Sequence, residues 1–390
     1  MKPTAITSYL SILCYGMCIT IIGPALGAVG ETFLLSPARL GLFTTMLSAG
    51  FIPAVLLGGY IVDRYGVQAV GLAGQLLLTA GFILFSVTTS FPVALFAFFI
   101  LGIAGGNIEI VANTVVSGLY PHKRASALNL LHAFFGIGAL AGPVISGAFI
   151  DSGAPWQAGY WVLAIISAAV LVLMVFSPFP RQVASEKVDF SDFLTVARTP
   201  AALVLGAAII LYIGAEMGIN YWSALHLTQR YAVSALAAGS FLSYFWVAMT
   251  AGRFLVFMAA KKIGDRLLLF ILTALSLAAY ALFLIADRWW LSGIGLTLVG
   301  LFFSGIFPTA LGLGVNRFSR IPGTITGFLM MFNGIGMLIF PYIVGLITDA
   351  ASLSAGMSFI MAILACLTVL TAAIALQRRP KDSAPGRRAA

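Results

Sequence analysis

The sequence predicts an all-α membrane protein of twelve transmembrane helices, built as two six-helix bundles related by a pseudo-twofold axis. Three observations carry that prediction. Of 390 residues, 61% are hydrophobic and 8% charged, against roughly 25% charge in soluble domains, so the chain's main solvent is lipid. Apolar runs of about 20 residues, the length that crosses hydrocarbon, recur twelve times. The second six repeat features of the first at one spacing.

In chain order the spans fall near 6–29, 37–62, 67–89, 92–119, 125–150 and 157–178, then near 200–227, 233–259, 266–286, 290–316, 323–348 and 355–376. Lipid offers no partners to backbone N–H and C=O groups, so each span is a helix. The one long polar segment inside the chain is RQVASEKVDFSDFLTVARTP (181–200). The expected organisation is an N-terminal bundle (1–180), a cytoplasmic linker (181–199), a C-terminal bundle (200–377) and a basic tail (378–390). The first run is long enough to span and others follow at once, so no cleavable signal is expected.

Lysine and arginine set the orientation. Seventeen of the 21 fall in segments on the side of both termini; Arg39, Arg230 and Arg288 lie on the other side, and Arg253 lies within a span. By the positive-inside rule both termini face the cytoplasm, which points to a multi-pass protein of the cytoplasmic membrane. The net charge of +9 sits in short loops and the tail, not on a folded basic patch, so it speaks for anionic lipid rather than nucleic acid.

The repeat appears in FGIGALAGPVISGAFID (135–151) and NGIGMLIFPYIVGLITD (333–349). Gly136, Gly138, Pro143, Gly147 and Asp151 fall on Gly334, Gly336, Pro341, Gly345 and Asp349, a constant shift of 198 residues. Gly66 meets Gly264 at the same shift. Two like-oriented halves of this kind form a transporter architecture with its site at the midplane between them.

The loop GGYIVDRYGVQAV (58–70) resembles the major facilitator signature G-x-x-x-D-R-x-G-R-[RK]. Gly59, Asp63, Arg64 and Gly66 are in place, whereas Val67 and Gln68 stand where that family carries a basic pair. The resemblance implies that this loop latches the cytoplasmic side in the outward-facing state. Three further segments are similar to the fucose–galactose–glucose:proton symporters and the related sodium-dependent glucose carriers: GGNIEIVANTVV (105–116), KRASALNLLHAFFGIGALAGP (123–143) and YIGAEMGINYW (212–222). Proton-coupled sugar members carry an aspartate in the first helix. Here YLSILCYGMCITIIGPALG has no acid, so coupling is expected to use other carboxylates or the chain belongs to a different branch.

The polar residues inside spans are the candidate site. A mid-span carboxylate costs about 2.5–3.5 kcal/mol on insertion scales, so Glu109 needs a wet cavity or a partner. It shares a helical stripe with Gly102, Gly106 and Asn113, and burial favours its protonated form. Glu216 lies on a stripe with Tyr212, Asn220 and Ser223. Glu109, Glu216 and His132 are the proton-coupling candidates. Asn113, Asn129, Tyr212, Asn220, Trp222, Trp246 and Asn333 are the cavity candidates, with Trp222 readable either as a platform for a sugar ring or as an interface anchor. Arg253 reads as a snorkelling side chain, a brace for its loop, or a counter-ion for an acid. GIGALAGP, which resembles the fifth-helix motif of drug antiporters, reads as a hinge and packing element.

No nucleophile–base set, phosphate loop or metal cluster appears, and Cys14, Cys18 and Cys366 read as packing residues, so neither an enzyme nor an ATP-driven pump is expected. The leading expectation is a monomeric secondary transporter for a small polar solute, with sugars among the candidates. It would need no cofactor and couple to protons, sodium being the alternative ion. The other readings are a drug or metabolite:proton antiporter, a lipid flippase, and a receptor or scaffold that transports nothing.

Overall fold

The computed structural model describes residues 3–120, 124–179, 190–318 and 320–376. Among them there is no strand. The first half comprises α1 (Pro3–Thr20), α2 (Ile22–Phe33), α3 (Pro37–Tyr65), α4 (Val67–Val87), α5 (Phe91–Leu119), α6 (Arg124–Asp151) and α7 (Gln157–Val175). A short helix α8 (Phe190–Ala197) lies in the linker. The second half comprises α9 (Pro200–Tyr231), α10 (Ala235–Ile263), α11 (Asp265–Ile285), α12 (Trp289–Phe303), α13 (Ile306–Arg317), α14 (Pro322–Ala350) and α15 (Leu353–Leu376). The spans follow the apolar runs. The linker does not remain featureless: α8 lays Phe193 edge-on against Phe328 of α14 at 5.6 Å.

Two spans are broken, each four residues before a proline. The first bends by 50° between α1 and α2, where the Pro24 ring lacks an N–H for the Thr20 carbonyl and crowds it. The tenth parts at Ser304–Gly305, between α12 and α13, four residues ahead of Pro308. Gly66 and Gly264 each turn the chain in a single residue between helices, both at φ +83°, a conformation that strains any side chain with a Cβ.

Among the contacts between the halves, three pairs match at the 198-residue shift. Ser243 donates to the Leu140 carbonyl at 2.7 Å, and Thr45 donates to the Leu338 carbonyl at 3.0 Å. A Cβ on Gly239 would meet the Pro143 carbonyl, as one on Gly41 would meet that of Pro341. A Cβ on Gly136 would meet Thr250, and one on Gly334 would meet Ile52. The glycines of the GIGALAGP run and its copy therefore do two jobs. Gly136 and Gly334 face the opposite half, whereas Gly138 and Gly336 admit a helix of their own half, α1 and α9. Where lipid replaces water, small residues that permit such approach drive helix association.

Candidate functional site

The site is built from α5 and α9 outward. On α5, Asn113 donates to the Glu109 backbone carbonyl at 2.7 Å and to its carboxylate Oε1 at 3.1 Å. Both side chains are half-buried. The glycines on that stripe bring α3 close: a Cβ on Gly102 would run into the Leu47 carbonyl, and one on Gly106 would meet Ala54. Gly105, one turn before Glu109, lies against the ring of Tyr15.

On α9, Tyr212, Glu216 and Asn220 stack in successive turns and are all buried. Asn220 donates to the Glu216 backbone carbonyl at 2.9 Å and accepts from the Trp246 indole at 2.9 Å. The Tyr212 hydroxyl interacts with the Glu216 carboxyl. Tyr212 itself packs edge-on against Phe303 at 5.1 Å.

Aromatic rings join these two clusters across the seam. Phe51 stacks on Tyr15 (6.0 Å), Tyr15 meets Phe135 (6.2 Å), and Phe135 meets Trp246 edge-on (5.8 Å). Contacts thus cross the seam from Tyr15, which lies against Gly105 one turn before Glu109, through Phe135 and Trp246 to Asn220, whose amide bonds the Glu216 backbone carbonyl. Such an arrangement presents ring faces, a carboxamide and two carboxyls, with hydrogen-bonding capacity at both ends.

The remaining sequence candidates fall elsewhere. Trp222 is neither a platform in the cavity nor an anchor at the lipid interface. It is fully buried, donates to the Pro341 carbonyl at 3.2 Å and packs on Gly345, because the indole fills the space that glycine leaves between α9 and α14. Asn333 is half-buried and turns to Met337 of its own helix, 3.9 Å from the sulfur. His132 is half-buried on α6. Gly59 and the side chains of Asp63 and Asn129 lie outside the described residues. Arg64 is exposed, bonded to the Tyr60 hydroxyl at 3.1 Å and set over the Tyr65 ring. Tyr15, Phe51 and Phe135 escaped the sequence reading, since an aromatic residue in an apolar helix carries no mark of facing a seam.

The family model described as Major Facilitator Superfamily matches residues 8–327 and 204–390. The chain belongs to that superfamily. Similar proteins include a TsgA homolog of Erwinia tasmaniensis, 24% identical over 90% of this chain and 89% of its own length. A TsgA homolog of Serratia proteamaculans is 23% identical over 85% of this chain and 84% of its own. Among solved structures, the nucleoside transporter NupG superposes with a TM-score of 0.79 at 16% identity, covering 97% of this chain and 99% of that one. A D-xylose–proton symporter gives 0.79 at 15% identity, covering 97% and 98%. At these identities the structural likeness shows the fold.

This facilitator is therefore a multi-pass membrane transporter of the secondary kind, acting on a small molecule. Among the described residues, its halves approach closely at the end of the membrane away from α8. There a Cβ on Gly23 would meet the Asn220 carbonyl at 2.7 Å and Leu242 at 3.2 Å, and Gly27 lies beside Leu225. Asn220 consequently takes part in two things at once, organising the polar cluster with its amide and forming the seal with its backbone.

Proposed function

We propose that the protein is a proton-coupled symporter for a small polar solute that carries a ring, a sugar being the leading class. It would lie in the cytoplasmic membrane with both termini inside. The observation that carries the reading is the run of aromatic and amide contacts that crosses the seam between the helix turns bearing Glu109 and Glu216. Ring faces on Tyr15, Phe135 and Trp246 suit the apolar face of a sugar, and Asn220, Asn113 and the carboxyls suit its hydroxyls. Carboxyls in an apolar setting exchange protons as the environment changes with access. On the positive-inside orientation the end where Gly23 meets Asn220 would face outward.

A second reading, efflux of a drug or metabolite against protons, is favoured by the predominance of aromatic rings over polar groups along the same line. Sodium in place of the proton is a third outcome of one experiment. The full-length protein in proteoliposomes is given an imposed pH gradient or sodium gradient, with labelled D-xylose, D-glucose, uridine and a lipophilic cation as solutes. The symport reading expects uptake of a neutral solute driven by external acid, lost in Glu109→Gln or Glu216→Gln while exchange of solute persists. Unimpaired accumulation in both variants overturns it.

A further inference from the structure

A small cavity lies inside the first half, walled by α1, α4, α5 and α7. Ser8 and Ser11 of α1, Gly71 of α4, Ile108 and Ala112 of α5 and Met174 of α7 line it. Its volume is about 10 Å³, room for one water molecule. The Ser11 hydroxyl is buried and has no protein partner. The Ser8 hydroxyl donates to the Thr4 carbonyl at 2.9 Å, so its oxygen can still accept. Gly71 helps to open the space: a Cβ on it would meet Val111 at 3.1 Å and the Met174 sulfur at 3.5 Å.

The second half is built differently at the matching positions. The 198-residue shift carries Ser11 to Ile209, Gly71 to Leu269 and Ser8 to Gly206. Ile209 and Leu269 are fully buried, and the Phe332 ring lies over Gly206. Apolar side chains thus stand where the first half sets a glycine and two hydroxyls. A buried hydroxyl without a partner costs free energy, and hydrocarbon around the bundle offers it none. Cavities with wholly apolar walls stay dry, whereas polar ones of this size hold water. We infer that this cavity is a water-binding site. One water accepts from the Ser11 hydroxyl, donates to Ser8 Oγ and turns its second proton to the Met174 sulfur, a weak acceptor. Ser8, Ser11 and Tyr15 follow at i, i+3 and i+7 on one face of α1. The water therefore fills the same α1–α5 interface that seats Tyr15 on Gly105, and it braces α1 there whatever the solute or coupling ion.

The test reads the water through Met174. X-ray pulses turn a bound water into hydroxyl radicals, which oxidise an adjacent methionine to its sulfoxide. The purified full-length protein is irradiated and digested, and each sulfoxide is measured by mass spectrometry. Met174 and Met357 are both buried, and Met174 is expected to oxidise several-fold faster. Ser11→Val, which puts a methyl group in place of the hydroxyl and adds a second, is expected to bring Met174 down to the rate of Met357. In a thermal-shift assay Ser11→Ala is expected to melt a few degrees lower, because the water loses a partner. In a dry cavity, deleting an unpartnered hydroxyl would leave melting unchanged or raise it. Ser11→Ala melting at or above the unmodified protein therefore overturns the inference. So does Met174 oxidising no faster than Met357 in the unmodified protein, or at an unchanged rate in folded Ser11→Val.

Discussion

Asp151 and Ala235 belong to opposite halves, and the carboxylate of the first accepts a hydrogen bond from the backbone N–H of the second at 2.9 Å. The aspartate at the end of α6 thereby caps the start of α10. The repeat supplies the matching pair, Asp349 and position 37, but position 37 is proline. Proline has no N–H to donate. This end is thus tied by a cap at the start of α10, whereas the matching start of α3 is held without one, Gly345 receiving the Pro37 carbonyl.

Breaking that cap should loosen the seal from one side. Cys18 is buried on α1, just before the bend into α2, and reports on opening. In a background of Cys14→Ser and Cys366→Ser, Asp151→Ala is expected to raise labelling of Cys18 by a membrane-impermeant maleimide several-fold. Asp349→Ala is expected to leave it unchanged. The lost cap is worth about 1 kcal/mol, roughly a fivefold change in population. Equal labelling of the two variants would show that the asymmetry has no consequence.

Gly23 should be intolerant for a reason of state rather than of folding. Its missing Cβ is what lets α2 lie on the Asn220 carbonyl. Gly23→Val is expected to yield a folded protein that stays open on that side, with high Cys18 labelling and no net accumulation of solute. Gly102→Val, which drives a side chain into the Leu47 carbonyl inside one half, is expected to reduce thermal stability outright. Size-exclusion profiles and melting curves separate the two effects.

The two tryptophans near the seam should separate in the same way. Trp222→Phe removes one buried hydrogen bond and packing volume, so it is expected to cost about 1–3 kcal/mol of stability while solute exchange persists. Trp246→Phe keeps a ring against Phe135 but orphans the Asn220 oxygen. Its expected effect is a loss of about tenfold in solute affinity, read by counterflow, with a smaller change in melting.

His226 is buried, its ring packs on Phe283 at 5.2 Å, and its Nε2 finds no protein partner. A buried polar atom without a partner costs free energy that an apolar ring of similar shape does not. His226→Phe is therefore expected to match or exceed the unmodified protein in a thermal-shift assay. A fall of more than a few degrees would mean that a water or a proton is held at Nε2.

Much of the architecture is legible before folding because lipid imposes simple rules. Length and apolarity mark the spans, backbone satisfaction makes them helices, and the 198-residue shift announces two like-built halves. The breaks at Thr20 and Ser304 are not legible in this way, since Pro24 and Pro308 follow them by four residues but Pro53, Pro143 and Pro341 lie inside unbroken helices. The stripes Glu109–Asn113 and Tyr212–Glu216–Asn220 were visible because a helix places residues four apart on one face. Asp151 was visible only as part of the repeat.

The amino-acid order alone thus determined the solvent, the helices, the duplication and which faces carry polar groups, all of which depend on neighbours within a few residues or on composition. Tertiary structure decided what those faces meet. It joined Trp246 to Asn220 across two helices, buried Trp222 against Gly345, ran Tyr15 and Phe135 between the acids, and let Asp151 cap α10 where Asp349 meets a proline. Those outcomes depend on how closely two backbones approach across the seam, and that spacing is set by packing of residues far apart in the chain.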